Sequence, residues 1–296
     1  MRLRVALVVG FGLVVAVPPI AAQTPSPEVA AKIAAQSKRP TPKLADGKPD
    51  LNGTWDHVDG IAFVRPVDQG GGSLCLLGCG RAGGAGATGA RAGGAAPAAA
   101  AAPAPAAAAP AAPNFPKYKP ELLAKVKELS AEQVKMDTVL QCKPAGVPRI
   151  GPPRKIVQTR RELVFLYDDV SGSFFRIVPI GAKHREDLPE SFLGDAVGRW
   201  EGDTLVVETV NFNEDTWLTD NGAFHTAKLK VIERFRRVGD TIEYQATAHD
   251  PDVLVEPWAV RPQTLWLTDV ELEEPVPCDD RDLAHMVDKT FHANPR

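Results

Sequence analysis

Lys230-Val231-Ile232-Glu233-Arg234-Phe235-Arg236-Arg237-Val238-Gly239-Asp240-Thr241-Ile242-Glu243-Tyr244-Gln245-Ala246-Thr247-Ala248 is the stretch on which the fold turns. Apolar and polar residues alternate on both sides of the Val238-Gly239 turn signal, the period of two that a half-buried strand requires. With Val238-Gly239 as a two-residue loop, Arg237 faces Asp240, and Phe235/Ile242, Glu233/Tyr244, Val231/Ala246 and Leu229/Ala248 pair on one face. Arg236/Thr241, Arg234/Glu243, Ile232/Gln245 and Lys230/Thr247 pair on the other. One apolar and one polar face describe a sheet with a core on one side and water on the other.

The same period runs outward from this hairpin. Strands are expected at 155–159, 162–167, 173–180, 195–200, 203–211, 226–237, 240–248 and 264–270, separated by Asp168-Asp169-Val170-Ser171-Gly172, Glu201-Gly202 and Val238-Gly239. Many short strands with tight turns and few helices predict a mainly β fold, an antiparallel barrel with flanking helices. Helical spacing marks residues 120–136, through Leu122, Leu123, Val126 and Leu129, and Pro120 suits a first turn. Short helices are also expected at 27–37 and from Asp279 or Asp280 onward.

Glu233 breaks the apolar face, with Tyr244 opposite it in this register. A carboxylate there costs several kcal/mol unless it is paired or neutralised. Arg176, alternating with Phe174 and Val178, is a candidate partner. Two readings follow: a buried structural pair, or a polar anchor in an apolar ligand cavity.

The 296-residue chain carries a net charge of −3, which argues against a nucleic-acid binder. Arg2 and Arg4, the apolar run Val5–Val17 and the small residues to Ala22 read as a secretory signal over residues 1–22, too short to span a bilayer comfortably. Residues 23–48 read as a leader and 49–66 as a first strand region around Gly53-Thr54-Trp55. Residues 67–116 are a Gly/Ala/Pro insert with too little apolar bulk to offset its ordering entropy. The helix and barrel occupy 117–296. The chain is therefore expected in the periplasm or outside the cell, with no membrane insertion after signal removal.

Export makes a disulfide the default for the four cysteines. Cys142 and Cys278 bracket the β-rich region and are expected to pair, and Cys75 and Cys79 could close a small loop in the insert. The outer cysteines lack the close spacing of zinc ligands. Asn211, Asn213 and Asp215 have the spacing of a calcium loop, but Thr216 and Gly222 stand where Gly and Glu are needed, so no metal is assigned. No nucleophile elbow, phosphate loop or zinc helix is present, and no cofactor is implied. His225 precedes the strand carrying Glu233 and could line a barrel mouth; His184 and His249 are of similar status. Trp217 and Trp258 lie in loop-like sequence suited to stacking on a ligand.

Cys142-Lys143-Pro144-Ala145-Gly146-Val147-Pro148-Arg149, Gly198-Arg199-Trp200-Glu201-Gly202-Asp203-Thr204-Leu205-Val206-Val207 and Ile232-Glu233-Arg234-Phe235-Arg236-Arg237 together resemble a family of exported bacterial proteins with no assigned activity. The resemblance covers about residues 49–66 and 140–280 and implies export and a β-barrel, but no catalytic residue. Gly53-Thr54-Trp55 and the hairpin series are more remotely similar to calycin barrels such as lipocalins.

The expected function is binding of a small apolar or aromatic molecule inside the barrel, with Glu233, Tyr244 and Arg176 as the polar groups. An alternative is a cofactor-independent lyase, isomerase or hydrolase. Glu233 would then be general acid/base, Tyr244 the donor to an oxyanion, and His225 would stand at the mouth. A structural envelope protein is a third.

Overall fold

The computed structural model describes residues 25–57, 114–169 and 171–274. The signal, most of the insert, the segment from residue 275 onward, and Cys75, Cys79 and Cys278 lie outside the described residues.

Among the described residues ten strands form one antiparallel sheet: β1 (Gly53–Asp56), β2 (Lys155–Gln158), β3 (Glu162–Asp169), β4 (Gly172–Pro179), β5 (Asp195–Glu201), β6 (Thr204–Val210), β7 (Lys230–Val238), β8 (Thr241–His249), β9 (Trp258–Ala259) and β10 (Gln263–Thr268). Their spatial order is β4-β3-β2-β1-β10-β8-β7-β6-β5, with the short β9 added to β8. Nine strands thus curl into a nearly closed barrel, which pairs the edges that an open sheet would leave exposed. The remaining seam lies between β4 and β5, which run parallel and are bridged by Ile180 and Gly198, with Gly181 N–H donating to Gly198 O at 2.8 Å. Gly198 permits this approach, because a Cβ there would stand 2.7 Å from Ile180 Cδ1.

Alternation sends Leu163, Phe165 and Tyr167 of β3, Leu205 and Val207 of β6, Val231, Glu233 and Phe235 of β7, and Ile242, Tyr244 and Ala246 of β8 inward, all buried. At one end of the barrel Leu51 and Trp55 join the core, and α1 (Pro27–Gln36) packs there through its last residue, the buried Gln36. Gln36 Nε2 donates to Leu267 O there, and the Arg237 guanidinium lies 5.1 Å over the Trp55 ring. The other end is covered by residues 114–150 and 211–229. These include a 3-10 turn at Pro120–Leu122, then α2 (Leu123–Ala131) and α3 (Gln133–Met136). The single helix expected over 120–136 is broken at Glu132, whose ψ of 19° ends α2.

The hairpin register differs from the expected one by two residues. Val238 pairs with Thr241, Phe235 with Tyr244 and Glu233 with Ala246, so Gly239-Asp240 form the loop. The first loop position has a left-handed φ of +59°, which glycine adopts and β-branched Val238 would not. Gln36 O also packs on this turn, accepting from Asp240 N–H at 3.1 Å. A shift of two preserves the faces, so Glu233 and Tyr244 still point inward, but diagonally rather than directly opposed.

Candidate functional site

Side chains from five strands meet inside the barrel. Arg176 (β4) reaches across to Glu233 (β7), with Nη1 2.7 Å from Oε2. Nη1 also donates to Tyr167 Oη (β3) at 2.9 Å, and Nη2 to Thr209 Oγ1 (β6) at 2.6 Å. Tyr244 Oη (β8) donates to Glu233 Oε1 at 3.1 Å. The guanidinium stands 5.9 Å over the Phe165 ring, and Phe165, Phe235 and Tyr244 pack with centroids 5.1 and 5.0 Å apart. All five polar side chains are buried, Glu233 completely. Burial acts most strongly against the charged Arg176, but the Glu233 carboxylate and the Tyr167 hydroxyl together outweigh it and raise the guanidinium's pKa. Burial raises both tyrosines above the usual phenol range, so their hydroxyls stay protonated. Among the described residues Arg176 Nε has no hydrogen-bond acceptor.

The seam gives this cluster an outer side. A cleft of 390 Å³ runs between β4 and β5, and Arg176 is among its lining residues. Phe175, Ile177, Phe192 and Leu193 supply apolar walls, with Pro144, Arg185 and Gly194 around them. Gly194 turns the chain into β5 here with a φ of +68°, where a Cβ would meet Val210 O at 2.5 Å.

Of the residues singled out from sequence, Glu233, Tyr244 and Arg176 come together. His225 does not join them. It is buried in the loop before β7, its Nε2 2.7 Å from Thr216 Oγ1 and its Nδ1 3.0 Å from Thr226 O. Burial lowers its pKa, so the ring is neutral, with Nδ1–H donating to Thr226 O and Nε2 accepting the Thr216 hydroxyl. Its edge packs on Phe212. Trp217 is buried beside His225 on a separate 320 Å³ cleft with Lys125, Lys135 and Phe224. Trp258 is buried on β9 and donates through Nε1 to Asn114 Oδ1 at 3.2 Å. His184 Nδ1 stands 2.9 Å from the Asp195 carboxylate. Asn211 uses its side chain to donate to Leu188 O and Pro189 O, and among the described residues no cluster of acidic, His or Cys side chains suited to a metal occurs. Cys142 carries no free thiol; Cys278, its expected partner, is outside the described residues.

Tyr167 and Thr209 were missed by the sequence reading, although a signal existed: each shares parity with inward apolar residues of its own strand. The buried fork of Arg149 on Asp137, with Nη1–Oδ1 and Nη2–Oδ2 both 2.7 Å, was also missed. Nothing in local periodicity joins an arginine in a Pro-rich loop to an aspartate at a helix end.

No protein-family model and no curated protein matches this chain.

Proposed function

We propose that this is an exported barrel protein that binds a small apolar or aromatic molecule bearing a hydrogen-bond acceptor, with Arg176 as the polar anchor. The observation that carries the reading is the seam cleft between β4 and β5. It has the volume of a small-ligand site, apolar walls, and one buried guanidinium whose Nε lacks an acceptor among the described residues. Glu233, Tyr244, Tyr167 and Thr209 hold that guanidinium in place from inside. Export is supported by the N-terminal pattern of Arg2, Arg4 and the apolar run after them. Catalysis by Glu233 would require a carboxylate oxygen turned to a substrate, whereas its two oxygens face Arg176 and Tyr244.

Titration with an aromatic anion such as anilinonaphthalene sulfonate tests the reading. Saturable one-site binding to the mature protein is expected, weakened at least tenfold in the Arg176→Met/Glu233→Leu double variant, which keeps the interior free of an unpaired charge. Equal affinity of the two proteins would refute it.

A further inference from the structure

The 320 Å³ cleft beside Trp217 lies at the helix-covered end of the barrel, between the helical arm and the 211–229 loop. The arm contributes Lys125 from α2, Lys135 from α3 and Lys143 beyond it, and the loop contributes Glu214 and Asp215. One wall is thus cationic and the other anionic. His225, neutral and with both ring nitrogens bonded, adds no charge. Trp217 and Phe224 are buried between the walls and pair with each other through an antiparallel bridge across the 218–223 turn.

Each wall is held by its own bonds. On the arm, Lys135 pairs with Glu132 at 2.9 Å, Gln141 Nε2 donates to Lys135 O at 2.6 Å, and Lys143 Nζ donates to Gln141 Oε1 at 3.2 Å. On the loop, Glu214 Oε1 accepts from Ala227 N–H at 3.0 Å. Gly222, with a φ of +69°, lets α2 come directly against the loop: a Cβ there would stand 2.5 Å from Val126 O. Among the described residues no ion pair crosses from one wall to the other, and neither the Lys125 ammonium nor the Asp215 carboxylate has an oppositely charged partner. Lys125 Nζ stands instead 4.0 Å over the Phe224 ring.

We propose that this cleft binds a small zwitterion of the α-amino-acid class. Its carboxylate would lie on Lys125 and the neighbouring lysines, its ammonium on Asp215 and Glu214, and an apolar side chain against Trp217 and Phe224. A gap across which opposite charges stay unpaired is one that a ligand carrying both signs bridges, with a charge-assisted hydrogen bond at each end. A simple anion leaves the acidic wall unanswered, and a simple cation leaves the three lysines so. The cleft is at the small end of the roughly 300–1,000 Å³ that small-molecule sites span, which suits a single amino acid. It shares no lining residue with the seam cleft between β4 and β5, so this inference does not depend on that reading.

Isothermal titration of the mature protein with L-leucine and L-phenylalanine tests it. The N-acetyl derivatives, which lack the ammonium, and the amides, which lack the carboxylate, form the other arms. Saturable one-to-one binding of at least one of the two amino acids is expected, with both of its derivatives bound about tenfold more weakly or worse. Lys125→Gln and Asp215→Asn change exposed side chains and should each weaken the amino acid by about tenfold or more, with the urea midpoint unchanged. The Arg176→Met/Glu233→Leu double variant, altered only in the barrel interior, should bind it as the wild type does. Absence of saturable binding of both amino acids up to about 10 mM would overturn the proposal. So would an N-acetyl derivative that binds as well as its parent, which marks a simple anion site, or an amide that does so, which marks a simple cation site. Unchanged affinity in Lys125→Gln and Asp215→Asn would overturn it too, and loss of binding in the Arg176/Glu233 double variant would place the amino acid in the seam instead.

Discussion

Replacing Glu233 by leucine tests the barrel interior most directly. Arg176 and Glu233 are 3 % and 0 % exposed and 2.7 Å apart. The substitution leaves the guanidinium with two neutral partners, Tyr167 and Thr209, and the Phe165 ring. Removing one partner of a buried ion pair costs about 3–5 kcal/mol, because the other charge stays desolvated. With a urea slope of roughly 2–3 kcal/mol per molar, the unfolding midpoint should fall by roughly 1–2 M. The double variant with Arg176→Met removes both charges and should recover to within about 1 kcal/mol of wild type. Arg176→Met alone should cost less than Glu233→Leu, since a carboxyl can take up a proton in place and a guanidinium cannot lose one. Equilibrium urea unfolding of the four proteins, followed by tryptophan fluorescence, completes the cycle. A neutral or stabilising Glu233→Leu would refute this account, because it would mean that Arg176 is solvated through the seam rather than held by its partner.

Asp137→Ala should destabilise by roughly 3–5 kcal/mol in the same assay, because it strips Arg149 of both carboxylate bonds in a site where the pair is buried. The neutral, buried His225 binds protons less readily than in the unfolded chain. Stability should therefore fall as pH drops from the unfolded pKa of about 6.5 toward the lower folded value, and His225→Gln should flatten that limb of a pH–melting profile. Gly198→Ala drives a methyl into Ile180 and should cost about 1–3 kcal/mol in thermal unfolding while loosening the seam. Non-reducing mass spectrometry of the mature protein should find a linked Cys142–Cys278 peptide; free thiols at both positions would contradict the expected pairing.

Much of the candidate site was legible because strand parity survives errors of register. Glu233 and Tyr244 were assigned to one face under a pairing two residues off, and the structure keeps them on that face. Arg176 was named through its own strand's alternation and does reach Glu233. His225 shows the limit of parity: it was placed on an extension of the strand, but β7 begins at Lys230, and the residues before it fold into a loop that turns the imidazole onto Thr216 and Thr226. Trp217 and Trp258 read as loop residues, yet both are buried, because the 211–229 loop and β9 pack on the barrel rather than extend into solvent.

The sequence by itself determined the mainly β class, the strand series and the inward faces, since these follow from a local period of two and from turn residues such as Gly239. Tertiary structure alone decided that β1 sits between β2 and β10, that Gly239-Asp240 rather than Val238-Gly239 makes the turn, and that the barrel stops short of closure between β4 and β5. Those features depend on close approaches between distant segments: Gln36 on the turn, Ile180 on Gly198, and Arg176 crossing to Thr209 and Glu233. Periodicity reports which way a side chain faces along its own strand; which strand stands across from it is set by packing the whole barrel at once.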